Sequence, residues 1–225
     1  FQSADLSDAK FHNAQIVGSR FSTSTLPRAS FRGARISGGT TFNDSALAGV
    51  NFADATIGDT EFTGAMMTGV VLSGAQLTKA NLADGDLSGA YLIGTQIRGS
   101  LFTNAILRGA DLTSADLSTP NPDQEPRNDF TMVDAKDANF TDANLAGAWF
   151  GGADLRGANF TGADLVGTAF AGADLRGTTF PNEAFDSRGR PRFSCDRNTK
   201  RDGALRVKLR RYCKGVRNVI YLQAK

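Results

Sequence analysis

The residue types that carry most acid, base, nucleophile and metal chemistry are scarce in this chain. Its 225 residues include one histidine, His12, and two cysteines, Cys195 and Cys213. A lone imidazole with no neighbouring His or Cys offers neither a metal-ligand set nor a nucleophile with its base. Aspartates are numerous, but they recur at regular intervals beside small residues, which suits solvated, edge-protecting charge better than a matched acid and base. The 25 glycines follow the same regular spacing and form no phosphate-cradling loop or dinucleotide fingerprint. Calcium-binding Asp-Gly coils repeat every nine residues, a period that is absent. The sequon Asn139, Phe140, Thr141 arises from the repeat itself and is not read as a glycosylation site. The expectation is a protein without catalytic residues, metal or cofactor.

Composition narrows the class further. With 40% hydrophobic and 21% charged residues and no run of about 18 apolar residues, no spanning helix is expected and the chain should be soluble. It begins at Phe1, which suggests a mature form freed of a targeting peptide, or a trimmed chain. The net charge of +2 conceals a division. From residue 186 onward, thirteen Arg and Lys face three Asp, giving the tail +10 and leaving the body at −8. A module boundary near 186 is the simplest reading.

The body repeats with a period of five. In the stretch ADLRG, ANFTG, ADLVG, TAFAG, ADLRG, TTF, from Ala153 to Phe180, a Leu or Phe stands at each centre. Call that centre i. Centres run from Phe1 to Ile36, from Phe42 to Leu117 and from Phe130 to Phe185, and of these 36 positions only Ala135 is not a large apolar residue. Fifteen of the 16 phenylalanines are centres, and Phe193 is the exception. Position i−2 is small, as at Ala4, Ala75, Ala110 and Ala143, while i−1, i+1 and i+2 are mostly polar or Gly.

A helix repeats apolar positions at 3.6 and a strand at 2, so neither explains a period of five. A square coil does. Four pentapeptides, each turning a corner at its Gly, Asp or Asn, close one coil, with i and i−2 inside. Coils stacked about 4.8 Å apart would make a rod on the order of 40 Å long from nine turns. Sorting centres by side puts Phe1, Phe21, Phe42 and Phe62 on one face and Ile16, Ile36 and Ile57 on another. This requires the extra residue between Ile36 and Phe42 and the eight extra between Leu117 and Phe130 to enter at the same corner.

The A(D/N)LXX pattern of residues 1–185 resembles the pentapeptide-repeat family. The resemblance implies an all-β solenoid, a right-handed quadrilateral parallel β-helix, closed at 186–225 by a basic capping segment with a short helix. For that helix, Asp202 is a plausible N-cap and Leu205, Leu209 and Tyr212 have helical spacing, with Arg206, Lys208, Arg210 and Arg211 between them. Cys195 and Cys213, 18 residues apart, flank this segment and would close a disulfide if the geometry allows, at about 3 kcal/mol of loop entropy. Family members exported to the thylakoid lumen or periplasm look similar, with a helical cap pinned by a cysteine pair, so an oxidising compartment is expected if the bond forms and a cytoplasmic one if the thiols stay reduced.

Two surfaces stand out as partner contacts. At i−1, outward-facing Met66, Val71, Tyr91, Leu101 and Ile106 replace the usual polar residues and suggest an apolar strip. The segment 118–129, STPNPDQEPRND, interrupts the period with three prolines and reads as a projecting loop, with Pro120, Pro122, Asp123, Glu125 and Arg127 as contact candidates. The functional expectation is a non-enzymatic scaffold that docks onto a larger, membrane-bound or photosynthetic assembly through protein contacts and peripheral membrane contact at most, with no small-molecule substrate. The alternative implied by the family is a DNA mimic that regulates DNA gyrase and protects it from poisons. The −8 body suits that reading, and the +10 tail opposes it. Direct nucleic-acid binding by the tail is disfavoured, because Tyr212 and Tyr221 are too few for a stacking platform.

Overall fold

The structure, a computed structural model, describes residues 1–119, 126–185, 187, 191–195, 198–201 and 213. The period of five becomes a coil because the i+2 residue of each pentapeptide takes a left-handed backbone. Asp8, Asn13, Asp44, Asp54 and Asn104 have φ between 55° and 60°, and many glycines occupy equivalent corners. Asp, Asn and Gly accept that conformation at the least cost, which is why they recur at i+2. Within the pentapeptide the chain closes on itself, as where Ala34 N–H donates to Phe31 O and Ala75 N–H to Leu72 O, both at 2.9 Å.

Between coils the backbone pairs in parallel along four sides. The first column of i−1 residues runs from Asp5 through Met66 and Asp134 to Lys200, and the second from Lys10 through Tyr91 to Thr179. The fourth runs from Arg20 through Leu101 and Trp149 to Ser194. The third contains the regular strands β1 (Gln15–Val17), β2 (Arg35–Ser37), β3 (Thr56–Gly58), β4 (Gln76–Thr78) and β5 (Gln96–Arg98), which pair in sequence order as one parallel sheet. Their centres, Ile16, Ile36, Ile57, Leu77 and Ile97, include four β-branched residues, which favour extended backbone. The fold is an all-β solenoid. Its described residues contain one helical turn, a 3-10 turn at Asn182–Ala184.

The core is filled by the centres and the small i−2 residues. Phe21, Phe42, Phe52, Leu87, Phe130 and Phe150 are buried to 1% exposure or less, as are Ala55, Ala105 and Ala143. On the fourth side Phe1, Phe21, Phe42 and Phe62 stack with centroids 4.7–5.1 Å apart. Rings on the second side, such as Phe31 and Phe52, stack likewise at 4.9 Å and meet the fourth-side rings edge-on, as Phe31 meets Phe42 at 5.6 Å and 86°. Offset stacks and T-shaped contacts are the favoured aromatic geometries, so one square cross-section satisfies both at once.

Both insertions enter at the corner between the third and fourth sides, as the sorting of centres requires. In an uninterrupted coil Gln76 pairs with Gln96, four pentapeptides on. Ile36 pairs instead with Ile57, and Leu101 with Asp129, so the register slips by the lengths of the two insertions. Of the expected loop at 118–129, the described residues at both ends belong to the wall. Ser118 and Thr119 are buried, Thr119 N–H donates to Ala146 O at 2.8 Å, and Asn128 is fully buried. Nor does pairing stop at Phe185. Ser194 pairs with Ala169 and Lys200 with Asp174, and Phe193, off-period in sequence, is 5% exposed and stacks on Phe180 at 5.4 Å. The expected helix at 202–212, with Arg206, Lys208, Arg210 and Arg211, lies outside the described residues.

Candidate interaction surface

The apolar i−1 residues do not form one strip. Met66 and Ile106 lie on the first side, separated by Asp86; Val71 and Tyr91 are neighbours on the second; Leu101 is on the fourth. The cause is geometric, because each pentapeptide turns the chain through one corner. Met66, Tyr91 and Leu101 are exposed, whereas Val71 and Ile106 are half-buried. On the second side Ile93, 40% exposed, extends the Val71 and Tyr91 pair.

The fourth side gathers a different group. Leu101, Asp129 and Trp149 are successive members of one column. Trp149 lies over Gly151, where an added Cβ would fall 2.6 Å from the indole Nε1, and Met132 lies over Gly152. The two side chains therefore converge on one glycine corner. Leu101 is 43% and Met132 58% exposed, and Trp149 is half-buried. This group was only partly visible in sequence. The sole Trp at an outward i−1 position was the available signal, but its closeness to Leu101 depends on the register shift that the insertion introduces.

The insertion re-enters the wall directly beneath this group. Asn128 occupies an i−2 position, where the period calls for a small side chain, and its amide points inward. Nδ2 donates to Ile97 O at 2.7 Å and Leu117 O at 2.8 Å, while Oδ1 accepts from Ser100 N–H at 3.1 Å. Asn128 O then accepts from Trp149 N–H at 3.3 Å. Pro126 packs over Gly99, and Arg127 is half-buried. Pro120, Pro122, Asp123 and Glu125 lie outside the described residues. Asn128, the residue that holds the base of the insertion, was legible only as a polar residue at a small position.

The first side carries a ladder of ion pairs. Lys136 Nζ bridges Asp134 at 2.9 Å and Asp154 at 3.1 Å; Arg156 pairs with Asp154 at 2.9 Å, and Arg176 with Asp174 at 2.6 Å. The Arg156 guanidinium holds the Asp154 carboxyl well below the usual carboxylate range; partial burial opposes this and Lys136 adds to it. Arg176 lowers Asp174 in the same way. A lowered folded pKa means that the unfolded chain binds protons first as pH falls. The stabilisation is therefore complete above the ordinary carboxylate value of 3.8 and is lost below it. Acid titration of unfolding should show stability declining below about pH 4, with a shallower decline in Asp154→Asn. Equal slopes would show that Asp154 adds no pH-linked stability.

The remaining candidates are placed simply. His12 is exposed, its Nε2 2.8 Å from Ser30 Oγ. Cys195 and Cys213 are joined in a disulfide with Cα atoms 5.0 Å apart. Among the described residues no group of three or more His, Cys, Asp or Glu is placed to hold a metal ion, and no helix is long and apolar enough to cross a membrane.

Family models described as pentapeptide repeats, in sets of eight and nine copies, match residues 1–46, 45–84, 86–119 and 138–177, more than half of the chain. The chain belongs to the pentapeptide-repeat family. Among solved structures, this pentapeptide-repeat protein is similar to HetL, a pentapeptide repeat protein involved in heterocyst differentiation regulation in the cyanobacterium Nostoc sp. strain PCC 7120. The identity is 23% over 87% of each chain, with a TM-score of 0.63. That likeness supports the fold. A pentapeptide repeat protein of the Arabidopsis thaliana thylakoid lumen matches at 25% identity over 52% of this chain and 67% of its own, TM-score 0.33. The plasmid-mediated fluoroquinolone resistance protein QnrB1 matches at 20% identity over 88% and 94%, TM-score 0.36. Superpositions this loose carry no argument about function. No curated protein sequence matches the chain.

Proposed function

We propose that this pentapeptide-repeat protein is a non-catalytic interaction scaffold whose contact surface is the fourth side around Leu101, Asp129, Trp149 and Met132, together with the insertion that enters beside it. The observation that carries this reading is the convergence of half-buried Trp149 and exposed Met132 on the corner Gly151–Gly152, above a loop base clamped by buried Asn128. A rigid aromatic side chain, with an adaptable thioether beside it, is a common anchor of protein contacts. The wall behind them is rigid because its core is filled, so a partner would meet a preorganised surface.

The double substitution Leu101→Asp, Trp149→Ala should reduce co-purification of the native partner from the source cell at least tenfold, without changing unfolding stability by more than about 1 kcal/mol, since neither side chain enters the core. Undiminished co-purification would sink this site. The disulfide supports an oxidising compartment, such as the thylakoid lumen, periplasm or cell exterior, and a docking target among the assemblies of that compartment. Alkylation of thiols in protein taken directly from its source tests this: two free thiols would point to the cytosol.

The −8 body favours a second reading, the DNA-mimicking gyrase regulator. It predicts inhibition or drug protection in a supercoiling assay at micromolar protein, and the lack of both effects would remove it.

A further inference from the structure

The disulfide joins the end of the solenoid to Cys213, a residue beyond the last paired position of the repeat wall. Cys195 follows Ser194, which pairs with Ala169 on the fourth side, and Phe170 N–H donates to Ser194 O at 2.9 Å. Cys195 therefore stands over Phe170, at the level where another coil would place its centre. Its partner Cys213 is 4% exposed, whereas Cys195 is only half-buried. Several contacts among the described residues close the end of the wall around them. Ser194 N–H donates to Thr168 O and Lys200 N–H to Ala173 O, both at 2.8 Å, and Thr199 Oγ1 donates to Phe170 O at 2.9 Å. Phe193 covers Phe170 edge-on at 5.4 Å.

We propose that Cys195–Cys213 is a redox-operated latch on the terminal coil. In a solenoid each coil is stabilised by its neighbours, so a bond at the end controls the end and not the body. The pairings from Asp5 to Asp154 on the first side, and their counterparts on the other three, are made without it. What depends on the bond is the closing layer that includes Phe193, Ser194 and Lys200. Its loss would uncover Phe170 and orphan the edge groups at Thr168 O, Phe170 N–H, Ala173 O and Leu175 N–H. Opening needs a dithiol reductant. One of its thiolates attacks the sulfur of Cys195, the less buried of the two residues, the sulfur–sulfur bond breaks, and Cys213 leaves as a thiolate that takes up a proton. The second reductant thiol then displaces Cys195, so the reductant becomes the disulfide and the protein holds two thiols.

Hydrogen exchange on the whole protein tests this, with dithiothreitol as reductant. On reduction the amides of Phe170, Leu175, Ser194 and Lys200 should exchange about 100-fold faster, the factor expected when a crosslink spanning a sequence separation of 18 is released. The amides of Phe62, Leu82 and Phe102 should be unchanged, and reoxidation should restore the original rates. A Cys195→Ser, Cys213→Ser variant should show the fast rates with or without reductant. Unchanged protection at Phe170 and Leu175 after reduction would overturn the latch, because the cap would then hold without the bond. Loss of protection along the whole wall would overturn it as well, making the disulfide a staple of the entire fold.

Discussion

Phe150→Ala should destabilise the protein by about 4 kcal/mol, among the largest effects of any single core truncation in this chain. Phe150 is fully buried and stacks between Phe130 at 4.8 Å and Phe170 at 5.7 Å, with Phe140 edge-on at 5.8 Å. Removing the ring leaves three aromatic neighbours facing a void. They cannot collapse into it, since each is fixed by a pentapeptide whose backbone is bonded to the coils on either side. Phe150→Leu is the internal control. The same column already carries Leu82 between Phe62 and Phe102, so leucine should cost only about 1 kcal/mol there. Urea unfolding of the three proteins checks this. A Phe150→Ala cost below about 1 kcal/mol would mean that the column relaxes as a soft core, contrary to the close-packed wall described above.

Asn128→Leu should cost about 3 kcal/mol or more, although leucine resembles asparagine in shape and the site is fully buried. The loss is not one of packing. It leaves Leu117 O without the Nδ2 donor and Ser100 N–H without the Oδ1 acceptor in a buried site, while Ile97 O keeps the bond it accepts from Arg98 Nη1 at 2.9 Å. Asn128→Asp should also destabilise at neutral pH, because a carboxylate has nothing to donate and would face two carbonyl oxygens. The readout that separates a clamp from a general core defect is local. Exchange at Ser100 and Trp149 amides should rise in Asn128→Leu more than exchange at Phe42 or Phe52. A uniform rise along the wall would mean that Asn128 supports the coil in general and has no special hold on the insertion. If the clamp reading holds, the same variant should weaken partner binding through Trp149, whose amide hydrogen-bonds to Asn128 O.

The two substitutions differ in how visible they were beforehand. Phe150 belongs to a periodic set of centres, and its burial follows from the period with no structure at hand. Asn128 obeys no such rule. The inward i−2 column reads Ala, Ser, Thr, Val or Gly nearly everywhere, and an amide there signals a polar job, but the identity of its three partners cannot be read from the chain. One partner, Ser100, lies a whole coil and the insertion away in sequence, and Leu117 lies across the insertion itself. Phe193 shows the same limit from the other direction. It breaks the period in sequence yet joins the aromatic core, because the chain returns over the last coil by a route no repeat specifies.

The sequence by itself determined the four-sided solenoid, the inward and outward sets, and the one corner that takes both insertions, since all three follow from a local rule of five applied again and again. What the tertiary structure added is which outward side chains converge and how exposed each one is, as where Trp149 and Met132 meet at the Gly151–Gly152 corner. Successive repeats turn through one corner each, so lateral neighbours stand four pentapeptides apart in sequence, and the insertion lengthens that offset where Leu101 meets Asp129. The longer offset sets Leu101 and Trp149 in one column around Asp129, and the same quarter turn scatters Met66, Val71, Tyr91 and Ile106 onto two other sides.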